Sequence, residues 1–361
     1  MRSTLKILPF LLLASCSLPF SASAKNLKQA GAIAIPGEKV TSFGGVVIDQ
    51  KSRLGYFADK DNRSLDIFDT KTDTFLSRVS GFVGLADSGD RSGPNGIVLV
   101  NDGAEIWVSD GDSSIKIIDP VSRKVTSTIA TGGKNRAAEM AFDPKTQIVI
   151  VANPNDQPPF LTLISARPDH AITARLPVAE AAESLERSAY HAPTGTFYTD
   201  VPVMRGEENS GALAQTDPAT GKIVALHKIE HCTPHSLTIV SQTTIFLGCS
   251  AARAGSAKPG AELAVFDIAS GKASQYAADL GGAGETAADP GVGQYYAAST
   301  NVPGGSAIKV IDIATRALVQ KIPTSKGAHS LAVSLDSHRL YLPTTAADGP
   351  CGGCILVYAP E

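Results

Sequence analysis

The chain has 361 residues, room for one large domain or two ordinary ones, and its 32 Lys and Arg against 35 Asp and Glu leave a formal net charge of −3. No basic run accompanies that balance, which argues against nucleic acid or an anionic lipid surface as the principal partner. Beyond the first residues, no stretch approaches the roughly 20 apolar residues that span a bilayer.

At the N-terminus, Arg2 and Lys6 flank the start of an apolar run from Ile7 to Ala14, and Ala22-Ser23-Ala24 supplies an A-x-A cleavage pattern before Lys25. The pattern predicts a secretory signal peptide over residues 1–24 and a periplasmic or secreted mature chain of residues 25–361. Leu13-Ala14-Ser15-Cys16 also fits a lipobox, which leaves open an outer-membrane lipoprotein acylated on Cys16. Cleavage after Ala24 leaves Cys232, Cys249, Cys351 and Cys354, an even number that suits an oxidising compartment.

From there the chain repeats itself. "LDIFDTKTDTFLSRV" at 65, "IKIIDPVSRKVTSTI" at 115, "LAVFDIASGKASQYA" at 263 and "IKVIDIATRALVQKI" at 308 each read as an alternating apolar strand ending in Asp, a polar turn and a second strand. Weaker copies stand at 161 and 211, and "CILVYAPE" at 354 is half a copy. The strand-end positions Asp69, Asp119, Ser165, Asp217, Asp267, Asp312 and Ala359 set a period of about 45 to 52 residues. A further strand, tight turn and strand precede each copy, from "GGVVIDQKSRLGYFAD" at 44 to "HSLAVSLDSHRLYLPT" at 329.

Four antiparallel strands at this period predict an all-β fold, a seven-bladed β-propeller forming a single domain. The last copy lacks its outermost strand, while "LKQAGAIAIPG" at 27 has no partner, so the N-terminal strand is expected to complete the C-terminal blade and close the ring. Helix is expected only over Ala179 to Arg187.

With "IDIATRALVQKIPTSKGAHSLAVSLDSHRLYLPT" on view, the chain resembles the YVTN-repeat type of seven-bladed propeller, over nearly all of its mature length. The resemblance implies fold and export, because one architecture carries enzymes and binding proteins alike. More distantly, it is similar in principle to streptogramin lyases, seven-bladed enzymes with histidines and glutamates around magnesium. Gluconolactonase-like propellers, which hold a metal with Glu, Asn and Asp, are six-bladed, and their residue set is not matched here.

In a propeller the innermost strands line a central channel, and counting back from each first turn places Gly44, Asn95, Ala138 or Glu139, Glu186, His235, Gly284 or Glu285, and His329 at one mouth. A one-residue shift at the two ambiguous places would turn a side chain to the opposite face. Glu186, His235, Glu285, His329, Glu139 and Asn95 together form an oxygen and nitrogen donor set suited to a divalent metal ion, Mg, Mn, Ca or Zn. Polar residues that merely solvate the channel are the competing explanation.

Two readings follow. In one, the protein is a metal-assisted hydrolase or lyase of a small molecule such as a lactone or ester, with Glu186, His235 and His329 as its catalytic groups. In the other, it is a non-catalytic binding or scaffold protein whose partner is a small ligand or an envelope protein. A monomer is expected in both. The longest loops, at 86, 153, 204, 251 and 300, fall on the same face as the mouth, where a rigid scaffold presents binding residues.

"HCTPHSLTI" at 231 looks like a compact metal motif, but in an extended strand His231 and His235 stand about 13 Å apart. Cys232 and Cys249 lie near the open end of one hairpin and are expected to pair, as are Cys351 and Cys354 in a glycine loop. His170, His191, His227 and His338 read as surface residues.

Overall fold

The computed structural model describes residues 26–207, 210–249, 263–276, 283–300, 305–347 and 349–361. The expected signal peptide, the lipobox cysteine, the whole of the loop at 251 and parts of the loops at 204 and 300 lie outside the described residues.

Seven four-stranded antiparallel sheets account for the described strands. Blades one to six run consecutively outward from their inner strands: Phe43–Asp49, Ile97–Val100, Met140–Asp143, Ser188–His191, Pro234–Ser241 and Ala283–Asp289. Each inner strand touches those of the neighbouring blades, and Ala332–Ser334 of blade seven touches both Ala283–Asp289 and Phe43–Asp49, so the ring is closed. Blade seven takes its outermost strand from the N-terminus. Leu27–Ala34 pairs antiparallel with Cys354–Pro360, Ala34 opposite Cys354, as the unpaired strand at 27 predicts. The Gln320 side chain then bonds the amide and carbonyl of Leu27, tying this seam to blade six.

The residue that marks the repeat has a defined task. Asp69, Asp119, Asp217, Asp267 and Asp312 each accept a backbone N–H two or three residues on, closing the turn between third and fourth strands. Ser165 takes the Arg167 amide in the same way. An Asx-type turn satisfies a backbone donor locally and fixes where the strand ends. The last turn residue adopts positive φ, at no steric cost in Gly221 and Gly271 and with strain in Asp73, Arg123 and Arg316. Ala359 needs no such turn, because the strand that follows it in space comes from the other end of the chain.

Middle strands such as Ile148–Asn153 are buried throughout, whereas the outer strand Lys124–Ala130 alternates between exposed and half-buried positions. The core therefore lies between blades, where Trp107, Tyr56, Tyr198, Tyr295 and Tyr341 are sealed from solvent. Each large apolar side chain so buried stabilises by about 1.5–3 kcal/mol.

Two expectations fail. Ala179 to Arg187 is not helical; among the described residues the only helix is the 3-10 turn Gly89–Arg91. The segment bonds along its neighbour instead of along itself, Ala182 N–H to the Val203 carbonyl and Glu186 N–H to that of Asp200, while Ala181 and Leu185 enter the core. The histidines read as surface residues are mostly interblade links. His191 is 2% exposed and joins Thr194 Oγ1 at 2.8 Å to the Gln242 carbonyl of the next blade at 2.9 Å. His227 bonds Gln215 Oε1 at 2.9 Å, and His170 sits edge-on to Trp107.

His338 Nδ1 lies 2.7 Å from Oδ2 of the buried Asp289, joining blade seven to blade six. His338→Ala is expected to cost about 2 kcal/mol, the worth of a hydrogen bond to a buried charged group, measured by urea denaturation. A loss within error would show that water replaces the imidazole.

Candidate functional site

In blades one to six the inner strand opens with a β-bulge, in which two consecutive residues face one residue of the second strand. In blades two, three and four the hydrogen bonds state it directly. Asn95 N–H reaches the Ser109 carbonyl and Ser109 N–H that of Gly96; Ala138 and Glu139 flank Ala152, and Glu186 and Arg187 flank Asp200, in the same way, all at 2.9–3.0 Å. In blades one, five and six the register shifts between Phe43 and Val46, Pro234 and Ser236, and Ala283 and Thr286. Gly45 N–H donates to the Asn95 carbonyl at 2.9 Å and Glu285 N–H to that of His329 at 2.7 Å, which aligns blade seven with the others.

A bulge splits the ring into two sets, because neighbouring side chains leave the strand in different directions. The first bulge residues are Gly44, Asn95, Ala138, Glu186, His235, Gly284 and His329. The second are Gly45, Gly96, Glu139, Arg187, Ser236, Glu285 and Ser330.

The second set points at the channel axis. Arg187 Nη1 of blade four lies 3.3 Å from Glu285 Oε2 of blade six, across the intervening blade five. Ser330 donates to Glu285 Oε2 at 2.6 Å, and a Cβ on Gly45 would stand 3.2 Å from Glu285 Oε1, so this carboxylate spans from blade six to the edge of blade one. Glu139 faces them from blade three. It makes no hydrogen bond or ion pair among the described residues, and burial, then the Glu285 charge, raise its carboxyl to about 7. Burial works against the charge on Arg187, yet Glu285 and Glu139 hold its pKa above the ordinary value.

The first set turns toward neighbouring blades. Asn95 spends its amide on the Ser92 and Ala137 carbonyls at 2.9 and 3.1 Å. His329 stacks on Phe43, centroids 4.4 Å apart and planes 6° from parallel, with Nδ1 on the Gly327 carbonyl at 2.8 Å. Burial lowers its pKa, so the ring is neutral at neutral pH. Glu186 accepts from Ser184 at 2.6 Å and stands 3.8 Å from His235 Nδ1. Behind Arg187, Asp200 is sealed from solvent with neither carboxylate oxygen hydrogen-bonded, and burial, then Glu186, push its pKa far up while Arg187 opposes them.

The expected metal donors are therefore divided. Glu139 and Glu285 reach the axis, Glu186 and His235 form a pair beside it, and Asn95 and His329 turn toward neighbouring segments through Nδ2 and Nδ1. Among the described residues no group of three or more His, Cys, Asp or Glu is placed to hold a metal ion. The positive charge between the carboxylates belongs to Arg187, a residue the ring count passed over. Extending the one-residue shift considered for blades three and six to blade four would have found it.

Away from the axis, both expected cysteine pairs form. Cys232 bridges Cys249, with Cα atoms 5.1 Å apart, and Cys351 bridges Cys354, with Cα atoms 5.9 Å apart. His231 stays exposed in a turn with φ of 56°, apart from the mouth group His235.

Compared with known proteins, the chain matches no protein-family profile and no curated protein. Among solved structures it is similar to a chain of the Kuenenia stuttgartiensis hydrazine synthase, with a TM-score of 0.70 and 14% identity over 90% of this chain and 98% of that one. It is also similar to a chain of a mitotic checkpoint complex, with a TM-score of 0.66 and 11% identity over 99% of both. At such identities the likeness is one of fold alone: a seven-bladed propeller.

Proposed function

We propose that this propeller binds a small polar ligand at the bulged mouth of its channel, and that the ligand meets an organised ring of protein charges in place of a metal ion. The observation that carries the reading is the Arg187–Glu285 pair facing the unpartnered carboxyl of Glu139. Charged groups held in fixed positions around a concave opening, with long loops on the same face, are what orientation-specific binding of a small molecule requires. The two disulfides fit an oxidising compartment, and no helix among the described residues is long and apolar enough to cross a membrane, in keeping with an exported protein. Among the described residues no group of three or more His, Cys, Asp or Glu is placed together, which favours binding over the metal-assisted hydrolase or lyase reading.

Melting curves of the mature protein with a library of small acids, amines, sugars and lactones, together with elemental analysis, test this. A ligand at a hundredfold its Kd is expected to stabilise the fold by about 2.7 kcal/mol, and Glu186→Gln to weaken it. A purified protein carrying one equivalent of divalent metal, or one that no ligand class stabilises, would overturn the proposal.

A further inference from the structure

We infer that the Cys351–Cys354 disulfide is a thiol–disulfide exchange site, opened at Cys351 by an external thiolate. The inference is independent of the ligand-binding reading above.

The two disulfides of the chain differ in what they constrain. Cys232 and Cys249 are 1% and 0% exposed and stand 17 positions apart, and their bridge ties the approach to the inner strand Pro234–Ser241 to the end of its partner Thr244–Cys249. A cross-link gains stability with the length of chain it closes, and one sealed from solvent is also closed to attack. Cys351 and Cys354 stand three positions apart and enclose only Gly352 and Gly353. Their bridge joins no two strands, because Cys354 is already fixed in its own, opposite Thr344 on one side and Ala34 on the other. The loop before it has its own ties, Ala346 N–H to the Val40 carbonyl at 2.7 Å and Gly349 N–H to the Thr345 carbonyl at 3.0 Å. The fold therefore draws little from this bridge.

Its two sulfurs also differ in access. Cys351 is exposed, in the loop between the second and third strands of blade seven, whereas Cys354 is 2% exposed and packs into the core between blades six and seven. A side chain on the exposed Gly352 would meet nothing within 4 Å, so the loop is open to solvent beside Cys351. Thr344 Oγ1 lies 3.7 Å from Cys351 Sγ and 3.8 Å from Cys354 Sγ. A disulfide sulfur carries no proton, so the hydroxyl is the donor in both contacts and can turn to whichever sulfur gains charge. An exposed sulfur bonded to a sealed one restricts attack to one end of the bond and fixes which sulfur leaves.

In the first step an external thiolate attacks Cys351 Sγ. The new S–S bond forms as the Cys351–Cys354 bond breaks, and Cys354 Sγ leaves with the electron pair as a thiolate, beside the Thr344 hydroxyl, before taking a proton from water. A second external thiolate then attacks the external sulfur of the mixed disulfide and releases Cys351 as a thiolate, which water also protonates. Two electrons pass to this chain, its disulfide becomes two thiols, and the two external thiols become one disulfide. The two protons that those thiols gave to the solvent balance the two taken up. The reductant is thus one dithiol or two monothiol molecules.

The test exposes the folded mature protein, near neutral pH and without denaturant, to reduced glutathione as a monothiol, dithiothreitol as a small dithiol, or reduced thioredoxin as a protein dithiol. Freed cysteines are trapped with iodoacetamide and assigned by peptide mass spectrometry. Cys351–Cys354 is expected to open at least about a hundredfold faster than Cys232–Cys249, and the opened protein to keep its folded circular-dichroism spectrum and a melting temperature close to that of the oxidised form. Cys354→Ser, which leaves Cys351 unpaired, should form a mixed disulfide with glutathione disulfide. Cys351→Ser, which leaves Cys354 sealed, should not do so while folded. If either variant folds poorly, the opening rates of the two disulfides in the parent decide.

Opening by glutathione would assign a monothiol reductant, and opening by the dithiols alone a dithiol one; either supports the site. If the two disulfides open at the same rate, if neither opens before the protein is denatured, or if breaking Cys351–Cys354 unfolds the chain, the bridge is a structural staple and the inference falls. None of these results bears on the mouth, whose ligand is tested separately.

Discussion

Replacing Arg187 with methionine is expected to cost about 3 to 5 kcal/mol of folding stability near neutral pH, the range for removing one partner of a buried ion pair. The guanidinium lies 3.3 Å from Glu285 and opposes the burial of Glu139 and Asp200, so its loss leaves Glu285 at the axis, and Asp200 behind it, without their cation. Arg187 is one of the influences holding the Glu139 and Asp200 pKa values down against burial. Without it, both rise further above their unfolded values. Stability tied to a raised carboxyl is fully present below the unfolded pKa and is lost as pH rises through the folded one, so the deficit should shrink as the solution is acidified. Adding Glu285→Gln removes the acid that Arg187 pairs with and should recover a large part of the loss. Urea denaturation of the three proteins across pH measures this. A single variant within about 1 kcal/mol of the parent would mean that the carboxylates are solvated and need no counter-ion.

The importance of Arg187 shows where sequence reading stops. Strand alternation and the Asp-headed turns made the blades legible, since a turn that satisfies its own backbone donors recurs wherever the fold needs one. The closing strand was legible by elimination: residues 27–34 alternated and had no hairpin partner. The bulge is different. It adds one residue without altering which residue types are apolar, and it reverses the face of everything before it. Counting back from the turns thus located the mouth and found Glu139, Glu186, Glu285 and His235, but it could not separate the set aimed at the axis from the set aimed at neighbouring blades. For Asn95 and His329, only the structure shows that the Asn95 Nδ2 and His329 Nδ1 atoms are taken by backbone carbonyls. Ala179 to Arg187 looked helical because its composition favours helix, and tertiary pairing with the strand beside it prevailed.

Glu139→Gln is expected to change the shape of the stability profile as well as its height. The carboxyl is raised from 4.5 to about 7, first by burial and then by Glu285, so the folded protein holds a proton that the unfolded chain releases. Its contribution is fully present below pH 4.5 and is lost as pH rises through about 7, after which the profile is flat. At about 1.4 kcal/mol for each pH unit between the two values, and with some relief from solvent at a partly exposed site, the parent should lose about 2 to 3 kcal/mol across that window. Glutamine cannot ionise, and the variant should keep that stability, matching the parent in acid and exceeding it above neutrality. Asp59 and Asp200, also raised by burial, tilt both profiles in the same direction, so the difference between the two proteins isolates Glu139. Denaturation midpoints measured across the window decide the matter, and parallel curves would show that Glu139 keeps an ordinary acidity. A gain of about 2 to 3 kcal/mol at neutral pH from this isosteric change would show that the acid costs the fold stability, the trade expected if Glu139 serves the proposed binding site.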